Sequence, residues 1–175
     1  MKTQPPARAA EFADFVAARG TSLLRLAHLA CGSRDDAEDV LQTALERAYR
    51  HWPRLRPDTD PEPYVRRIVV NTAISRARRR AILRITPYGT LPEPAAPSET
   101  RGVELRQVLT AGLRALPPRQ RAVLVLRFWE DLTEAQTAET LGCSIGTVKS
   151  QAFKGLARLR ALIGAGLVEE VASDA

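Results

Sequence analysis

The chain has 175 residues, which suits one ordinary domain or two small ones. Hydrophobic residues make up 45% of it, and they are too scattered for the run of about 18 that a membrane helix needs, so we expect no membrane insertion. The formal net charge of +6 permits nucleic-acid binding but also serves plain solubility.

The sequence argues against secreted, metal-binding and catalytic classes of protein. Residues 1–12 lack the apolar stretch of a secretory signal, so we expect a cytoplasmic protein. Cys31 and Cys143 lie far apart without Cys-x-x-Cys spacing, which predicts free thiols and no metal site. The sequence contains no glycine-rich nucleotide motif, no His-Glu-x-x-His and no Gly-x-Ser-x-Gly, so we expect no cofactor and no catalysis.

Apolar residues recur mainly at spacings of three and four, which is typical of helices. Residues 8–84 form one such block and residues 101–166 form another. Residues 85–100 between them carry four prolines and a glycine, a composition that predicts a flexible linker. The sequence therefore predicts an all-α fold of two small helical domains joined by a linker.

The first block contains a helix with strong start signals. Ser33 is the predicted N-cap, and acidic residues follow it where they complement the helix dipole. One stripe of this helix is apolar, and the polar residues lie roughly opposite it. The apolar stripe consists of Ala37, Val40, Ala44, Leu45, Ala48 and Trp52, and the polar face consists of Asp39, Gln42, Glu46 and Arg50. We expect Trp52 to be a core residue.

The next predicted helix starts at Pro61 or Pro63 and ends in a cluster of arginines, "SRARRR". Basic residues suit the negative end of a helix dipole, so a plain solvated helix end is one interpretation. A surface that holds a polyanion is the other.

The second block contains a helix-turn-helix pattern. Thr133 and Gln136 are spaced as a capping box, Gly142 stands where a left-handed residue ends a helix, and Ser144 can cap the next helix. The outer face of that second helix carries donors and positive charge without a carboxylate, which suits a DNA groove. Arg119 and Arg121, near the start of the preceding helix, are expected to touch phosphates. The alternative is an amphipathic helix with a solvated basic face.

Three stretches in this order, "AEDVLQTALERAYRHW", "YVRRIVVNTAISRARRR" and "GTVKSQAFKGLARLR", resemble the extracytoplasmic-function (ECF) sigma factors of bacterial RNA polymerase. The resemblance covers about residues 10–165. It implies a non-enzymatic subunit whose first domain docks on core polymerase and recognises and melts the −10 promoter element. The second domain then reads the −35 element, and an anti-sigma protein is an expected partner.

The resemblance also assigns three sets of residues. Docking on the β′ clamp helices is expected to use Asp39, Gln42, Glu46 and Arg47, and the β flap is expected to be a further partner on the polymerase. Recognition of the −10 element, against a pocket wall from residues 53–63, is expected to use Tyr64, Arg67, Asn71, Ser75, Arg76, Arg78, Arg79 and Arg80. Recognition of the −35 element is expected to use Arg119, Arg121, Thr147, Lys149, Ser150, Gln151, Phe153, Lys154 and Arg158. Within the −10 set, Asn71 is expected to choose a base while the arginines hold phosphates.

Some positions depart from the family pattern. Family members often carry Asp where this chain has Ser75, Trp where it has Tyr64, and Arg where it has Gln151 and Lys154, so the promoter preference stays open. The competing hypotheses are a stand-alone helix-turn-helix regulator and a metal- or nucleotide-dependent enzyme.

Overall fold

The structure is a computed structural model that describes residues 6–84 and 101–173. Side chains are described for residues 7–83 and 107–164. The predicted linker, residues 85–100, lies outside this part of the chain.

The described residues form helices and turns without a strand, which confirms the all-α prediction. The first block contributes α1, α2 and α3, and the second block contributes α4 to α7. In chain order they are α1 (Pro6–Cys31), α2 (Arg34–His51), α3 (Glu62–Arg84), α4 (Arg101–Ala115), α5 (Pro118–Leu124), α6 (Glu134–Leu141) and α7 (Ile145–Ser173). A 3₁₀ turn (Trp52–Arg54) follows α2, and a turn of π-helix (Val125–Trp129) follows α5.

Helices α1, α2 and α3 pack against one another around one apolar core. The predicted stripe of α2 is buried apart from Leu45, which is half-buried; Val40, Ala44 and Ala48 have no exposed surface. Small residues on α2 let its neighbours approach closely. The N-cap prediction for Ser33 is right in position, but its side chain makes no capping hydrogen bond.

Trp52 anchors this core at the end of α2. It is 4% exposed. Its ring centroid lies 5.0 Å from that of Phe12, in an edge-to-face arrangement, and 5.2 Å from that of Phe15. Aromatic pairs at such distances and tilts add to the free energy gained from area burial alone. The prediction that Trp52 is a core residue is confirmed.

The buried apolar residues of the second block belong to two clusters. Val123, Ala138 and Val148 form a small core of its own beneath the helix-turn-helix. Leu126 and Leu132 instead lie in the same buried cluster as the helices of the first block. The two blocks are therefore packed together, and residues of the π turn and of the segment just after it join their cores.

Arg121 is buried where the two blocks meet and is only 4% exposed. Its Nε donates to the carbonyl of Ala30 at 2.9 Å, and its Nη1 donates to the carbonyl of Arg114 at 3.1 Å. These carbonyls lie near the C-terminal ends of α1 and α4, where helix dipoles attract a cation. Burial lowers the pKa of Arg121.

The prediction that Arg121 touches DNA phosphates is wrong in this arrangement. Its donors serve carbonyls within the chain, and burial separates it from solvent. Gly32 leaves the room for it. A Cβ at Gly32 would lie 2.6 Å from Arg121 Nη1, and its φ of +70° also favours glycine.

Replacing Arg121 is expected to destabilise the fold. Arg121→Met keeps part of the apolar stem but leaves buried carbonyls without a donor, so we expect a loss of about 2–4 kcal/mol in the free energy of unfolding. Urea denaturation measures it. Arg119→Met, on the exposed side of the same helix, is the matched control and should change stability by less than about 0.5 kcal/mol. Equal effects of the two substitutions would contradict the buried role of Arg121.

Candidate nucleic-acid interface

The helix-turn-helix of α6 and α7 has the predicted local chemistry. Thr133 Oγ1 accepts from the Gln136 backbone N–H at 3.1 Å, and Gln136 Oε1 accepts from the Thr133 backbone N–H at 2.8 Å. Gly142 ends α6 in the left-handed region at φ 63°. Ser144 Oγ accepts from the backbone N–H of Thr147 at 3.1 Å. The capping box, the glycine turn and the second cap are all confirmed.

The turn fixes how α7 is presented. Val148 packs inward with no exposed surface, while the side chain of Phe153 is 76% exposed. The predicted outer residues of α7 that are exposed are Lys149, Ser150, Phe153, Lys154 and Arg158. This surface is cationic and carries one large aromatic ring, a combination suited to phosphates and base edges. Thr147 and Gln151 differ, because they are half-buried.

Asn71 lies on α3 at the boundary between the blocks. Its Nδ2 donates to the carbonyl of Arg67 at 2.8 Å and to the carbonyl of Thr140, on α6, at 3.0 Å. Ser75 Oγ donates to the carbonyl of Asn71 at 2.9 Å. The amide predicted to read a base is therefore engaged by the helix-turn-helix of the same chain.

A small crevice continues from this contact. From α3 it is lined by Asn71, Ser75 and Arg78, and from the second block by Arg119 and Gln151, among others. Its volume is about 90 Å³. Residues predicted for the −10 and −35 elements thus meet at one place, which the sequence did not indicate.

The arginine cluster divides into two pairs. Arg76 donates to Asp36 at 2.7 Å and to Asp39 at 2.6 Å, and Arg80 also pairs with Asp36. The hydrogen bond from Arg76 to Asp36 raises the pKa of Arg76. Arg78 and Arg79 are exposed. The prediction that all four arginines hold phosphates is therefore corrected, because Arg76 and Arg80 are bound to carboxylates of α2 here.

The other two residues predicted for the −10 element differ in exposure. Arg67 is exposed on α3, whereas Tyr64 is half-buried against the core of the first block. Tyr64 is thus placed to support the α3 surface more than to form it.

The α2 surface combines polar and apolar residues. Asp39, Gln42, Glu46 and Arg47 are all exposed, and Arg47 also donates to Thr72 Oγ1 at 3.3 Å. Beside them runs an open groove of about 610 Å³. Its apolar lining comes from Phe12, Leu24, Leu41, Leu45 and Tyr49. The sequence predicted the polar rim but not the groove, because part of the apolar wall, Phe12 and Leu24, comes from α1.

Among the residues whose side chains are described, no three His, Cys, Asp or Glu lie together as a metal site would need. Within the described part of the chain, no helix is both long and apolar enough to cross a bilayer. Burial raises the pKa of the Cys31 thiol to about 12, which makes it a poor nucleophile.

Comparison with known proteins agrees with this geometry. Residues 15–82 match the family model described as Sigma-70 region 2, and residues 106–159 match Sigma-70, region 4. The RNA polymerase sigma-E factor of Streptomyces coelicolor is 39% identical over 150 residues, covering 86% of this chain and 84% of the relative. The ECF RNA polymerase sigma factor SigM of Mycobacterium tuberculosis is 36% identical over 142 residues, covering 81% of this chain and 71% of that relative.

Solved structures share the fold. The sigma factor RpoE from Bartonella quintana, in complex with the anti-sigma factor NepR, superposes with a TM-score of 0.71 at 23% identity, covering 88% of this chain and 97% of that chain. CnrH, in complex with the cytosolic domain of CnrY, gives a TM-score of 0.60 at 23% identity, covering 88% of each chain.

A region-2 bundle followed by a region-4 helix-turn-helix defines the sigma-70 class of transcription initiation proteins. Within that class, this chain belongs to the ECF sigma factors of bacterial RNA polymerase. It binds core polymerase and directs transcription initiation at promoters, and its family consists of sigma factors and not of enzymes.

Alanine substitution should change the free energy of unfolding differently at two glycines of the helix-turn-helix. Gly142→Ala places a side chain at a left-handed φ of +63° and should cost about 1 kcal/mol in the free energy of unfolding. Gly146→Ala lies in the first turn of α7, where a Cβ would meet Ser144 Oγ at 3.8 Å, and should be neutral or stabilising by up to about 1 kcal/mol. Thermal unfolding of both variants measures this. A stability loss at Gly146 as large as that at Gly142 would contradict the assigned turn.

Proposed function

We propose how the family's activity is divided over this chain. Residues 8–84 dock on core polymerase and read the −10 element, and residues 101–166 read the −35 element. The chain supplies binding and positioning, while the catalysis of RNA synthesis belongs to the polymerase core. The observation that carries this proposal is the difference in chemistry between surfaces: α1 and α2 form a mixed polar and apolar groove, whereas α3 and α7 carry exposed cationic side chains.

The groove is the proposed contact with the β′ clamp helices. An apolar floor with charged residues at its edge resembles the core and rim of a protein interface. Leu41, Leu45 and Tyr49 supply the apolar area, and Gln42 and Glu46 border it. An amphipathic helical partner fits such a groove, since its apolar side can enter while its polar side meets the rim.

The β flap is the proposed partner of the second block. Phe128 and Trp129, at the end of the π turn, are 63% and 60% exposed. Adjacent exposed aromatic side chains are enriched at interfaces, where they supply large contact area at small entropic cost. They lie outside both proposed DNA surfaces.

Within the proposed DNA surfaces, some residues recognise bases and others bind phosphates. In the −10 surface, the Asn71 amide can pair with a base edge once it is released from Thr140, while Arg78 and Arg79 hold phosphates. In the −35 surface, Ser150 and Lys154 face outward beside Phe153. Lys154 lacks the planar fork with which arginine grips guanine, so its contacts favour charge over base identity.

An anti-sigma protein is the proposed regulator. The structural neighbour from Bartonella quintana was solved with the anti-sigma factor NepR, and CnrH was solved with the cytosolic domain of CnrY. Because promoter DNA and core polymerase occupy the cytoplasm, we propose that this chain acts there.

Reconstitution with core polymerase tests the proposal. The holoenzyme should initiate at defined sites on a pool of fragments from the source genome, while core polymerase alone should not. The isolated chain should bind duplex DNA weakly in a gel shift at moderate salt. A stand-alone regulator would give the reverse, with tight duplex binding and no added transcription start.

Substitutions on α3 should distinguish base recognition from phosphate binding. Arg79→Ala should weaken holoenzyme binding about equally across promoters and lower the salt slope by about 1, because it removes one phosphate contact. Asn71→Ala should change which promoters open, because it removes a base contact. Transcription from a panel of mapped promoters measures both.

The two α3 variants control for each other. The division of roles is wrong if Arg79→Ala reorders the promoter panel as strongly as Asn71→Ala does.

Removing charge beside the groove should weaken polymerase binding. Glu46→Ala, an exposed change on α2, should reduce affinity for core polymerase about five- to tenfold, which corresponds to about 1–1.4 kcal/mol. Fluorescence anisotropy of the labelled chain measures it. Asp14→Ala removes a similar exposed carboxylate from α1 and should have little effect. Equal affinities for both variants would place the docking surface elsewhere.

A further inference from the structure

We propose that one face of α1 positions the α2–α3 loop (residues 52–61) and thereby sets how sharply the chain recognises a base of the −10 element. This α1 face consists of Arg8, Phe12, Phe15 and Arg19. None of the four belongs to the proposed DNA surfaces, so they act as positioning residues. The inference rests on the proposal that the loop forms a wall of the −10 pocket.

The α1 face follows from the helical repeat. Its members are spaced by four, three and four residues, which places their side chains on one side of a helix. Each of the four contacts either the α2–α3 loop or the first residue of α3. One rigid helix therefore touches the loop near its start and just beyond its end.

Three of the contacts lie at the start of the loop. Phe12 and Phe15 pack against the buried ring of Trp52. Arg8 Nη2 donates to the carbonyl of Leu55 at 3.5 Å, and the Arg8 side chain is only 22% exposed. The backbone N–H of Leu55 donates to the carbonyl of Trp52 at 3.1 Å. The aromatic rings and the guanidinium thus fix one short turn.

The fourth contact lies at the other end of the loop. Arg19 Nε is 3.2 Å from Oε2 of Glu62, the first residue of α3. The backbone N–H of Glu62 donates to Asp60 Oδ1 at 3.0 Å, which ties the last loop residues to the same point. Helix α1 therefore holds the two ends of the loop at a set separation.

The middle of the loop is left to meet a ligand. Residues 56–60 are exposed, and the backbone N–H of Thr59 donates to the carbonyl of Arg56 at 3.1 Å. A base that leaves the stack loses free energy that the pocket must return. A loop with fixed ends loses less conformational entropy when it meets that base. Loosening the loop should therefore weaken base recognition and leave phosphate contacts unchanged.

The first experiment removes the Arg8 contact and keeps the apolar core. Arg8→Ala is compared with Glu11→Gln, which removes only the carboxylate that pairs with Arg8, and with Arg8→Lys, which retains a donor for the Leu55 carbonyl. Holoenzymes made with each full-length chain form open complexes on one mapped promoter. The templates carry single base-pair changes in the −10 or the −35 element, and discrimination is the ratio of rates on the unchanged and changed templates.

Arg8→Ala should lower discrimination at the −10 element about three- to tenfold and leave discrimination at the −35 element unchanged. Glu11→Gln should match the native chain, and Arg8→Lys should recover most of the loss. A rate that falls equally on every template indicates a purely structural role and overturns the proposal. Unchanged −10 discrimination in Arg8→Ala, or the same loss in Glu11→Gln, also overturns it.

A second variant covers the case in which Arg8→Ala does not fold. Arg19→Gln releases the far end of the loop from a side chain that is 54% exposed, and Arg25→Gln, at another exposed position of α1, is its control. Arg19→Gln should show the same selective loss at the −10 element. Equal discrimination by these two variants overturns the proposal.

The second experiment measures the position of the loop without DNA. Nitroxide labels at Thr59→Cys and Arg25→Cys, in a chain with Cys31→Ala and Cys143→Ser, give a distance distribution by electron–electron double resonance. Arg8→Ala should broaden this distribution, and an unchanged distribution overturns the proposal. A native holoenzyme that transcribes every −10 template equally would contradict the proposed function, and the label distances would still decide whether α1 positions the loop.

Discussion

A buried guanidinium determines how the two halves of this molecule meet. Arg121 donates to carbonyls near the ends of α1 and α4, and the cation remains buried because two helix dipoles and several carbonyls offset its lost hydration. Gly32 leaves the space it needs. With α5 held against α1 in this way, Leu126 of the π turn and Leu132, three residues after the turn, pack into the core of the first block. The helix-turn-helix then lies over α3.

The surfaces left exposed follow from this packing. Helix α2 buries its alanines and Val40 and leaves its polar side, with the groove against α1, available to a partner. Helix α3 uses Arg76 and Arg80 to bind acidic residues of α2, so only part of its arginine cluster remains for phosphates. Arg76 and Arg80 thus hold α3 against α2, which neither interpretation of the sequence predicted, while Arg78 and Arg79 form an exposed cationic surface.

How much the sequence could predict depends on how local each interaction is. The capping box of Thr133 and Gln136 and the left-handed Gly142 involve neighbours in the chain, and both were predicted. Arg121 could not be placed, because its carbonyl partner Ala30 is 91 positions away. For the same reason Asn71 was predicted to face a base without any sign that Thr140 would engage it. The apolar groove was missed because periodicity identifies one helix face but not the second helix that completes a wall.

A sigma factor of this kind has to satisfy two geometries with one sequence. The free chain gains by burying apolar area between its blocks, whereas the initiating chain must span two promoter elements. Two of the contacts that hold the blocks together are polar. Arg66 on α3 forms an ion pair with Glu130, which follows the π turn, and Asn71 on α3 donates to the carbonyl of Thr140 on α6. Contacts to other partners can replace both. An anti-sigma protein that favours the compact state would act on the same equilibrium.

The distance between the blocks, measured with and without core polymerase, tests this account most directly. Fluorophores attached at Arg25 on α1 and Glu139 on α6, both exposed positions, report it by single-molecule energy transfer. The account predicts one short distance in the free chain and a clear increase in the promoter complex, where the two domains contact different promoter elements. The same short distance in both states, in a holoenzyme that initiates at a promoter, would contradict it.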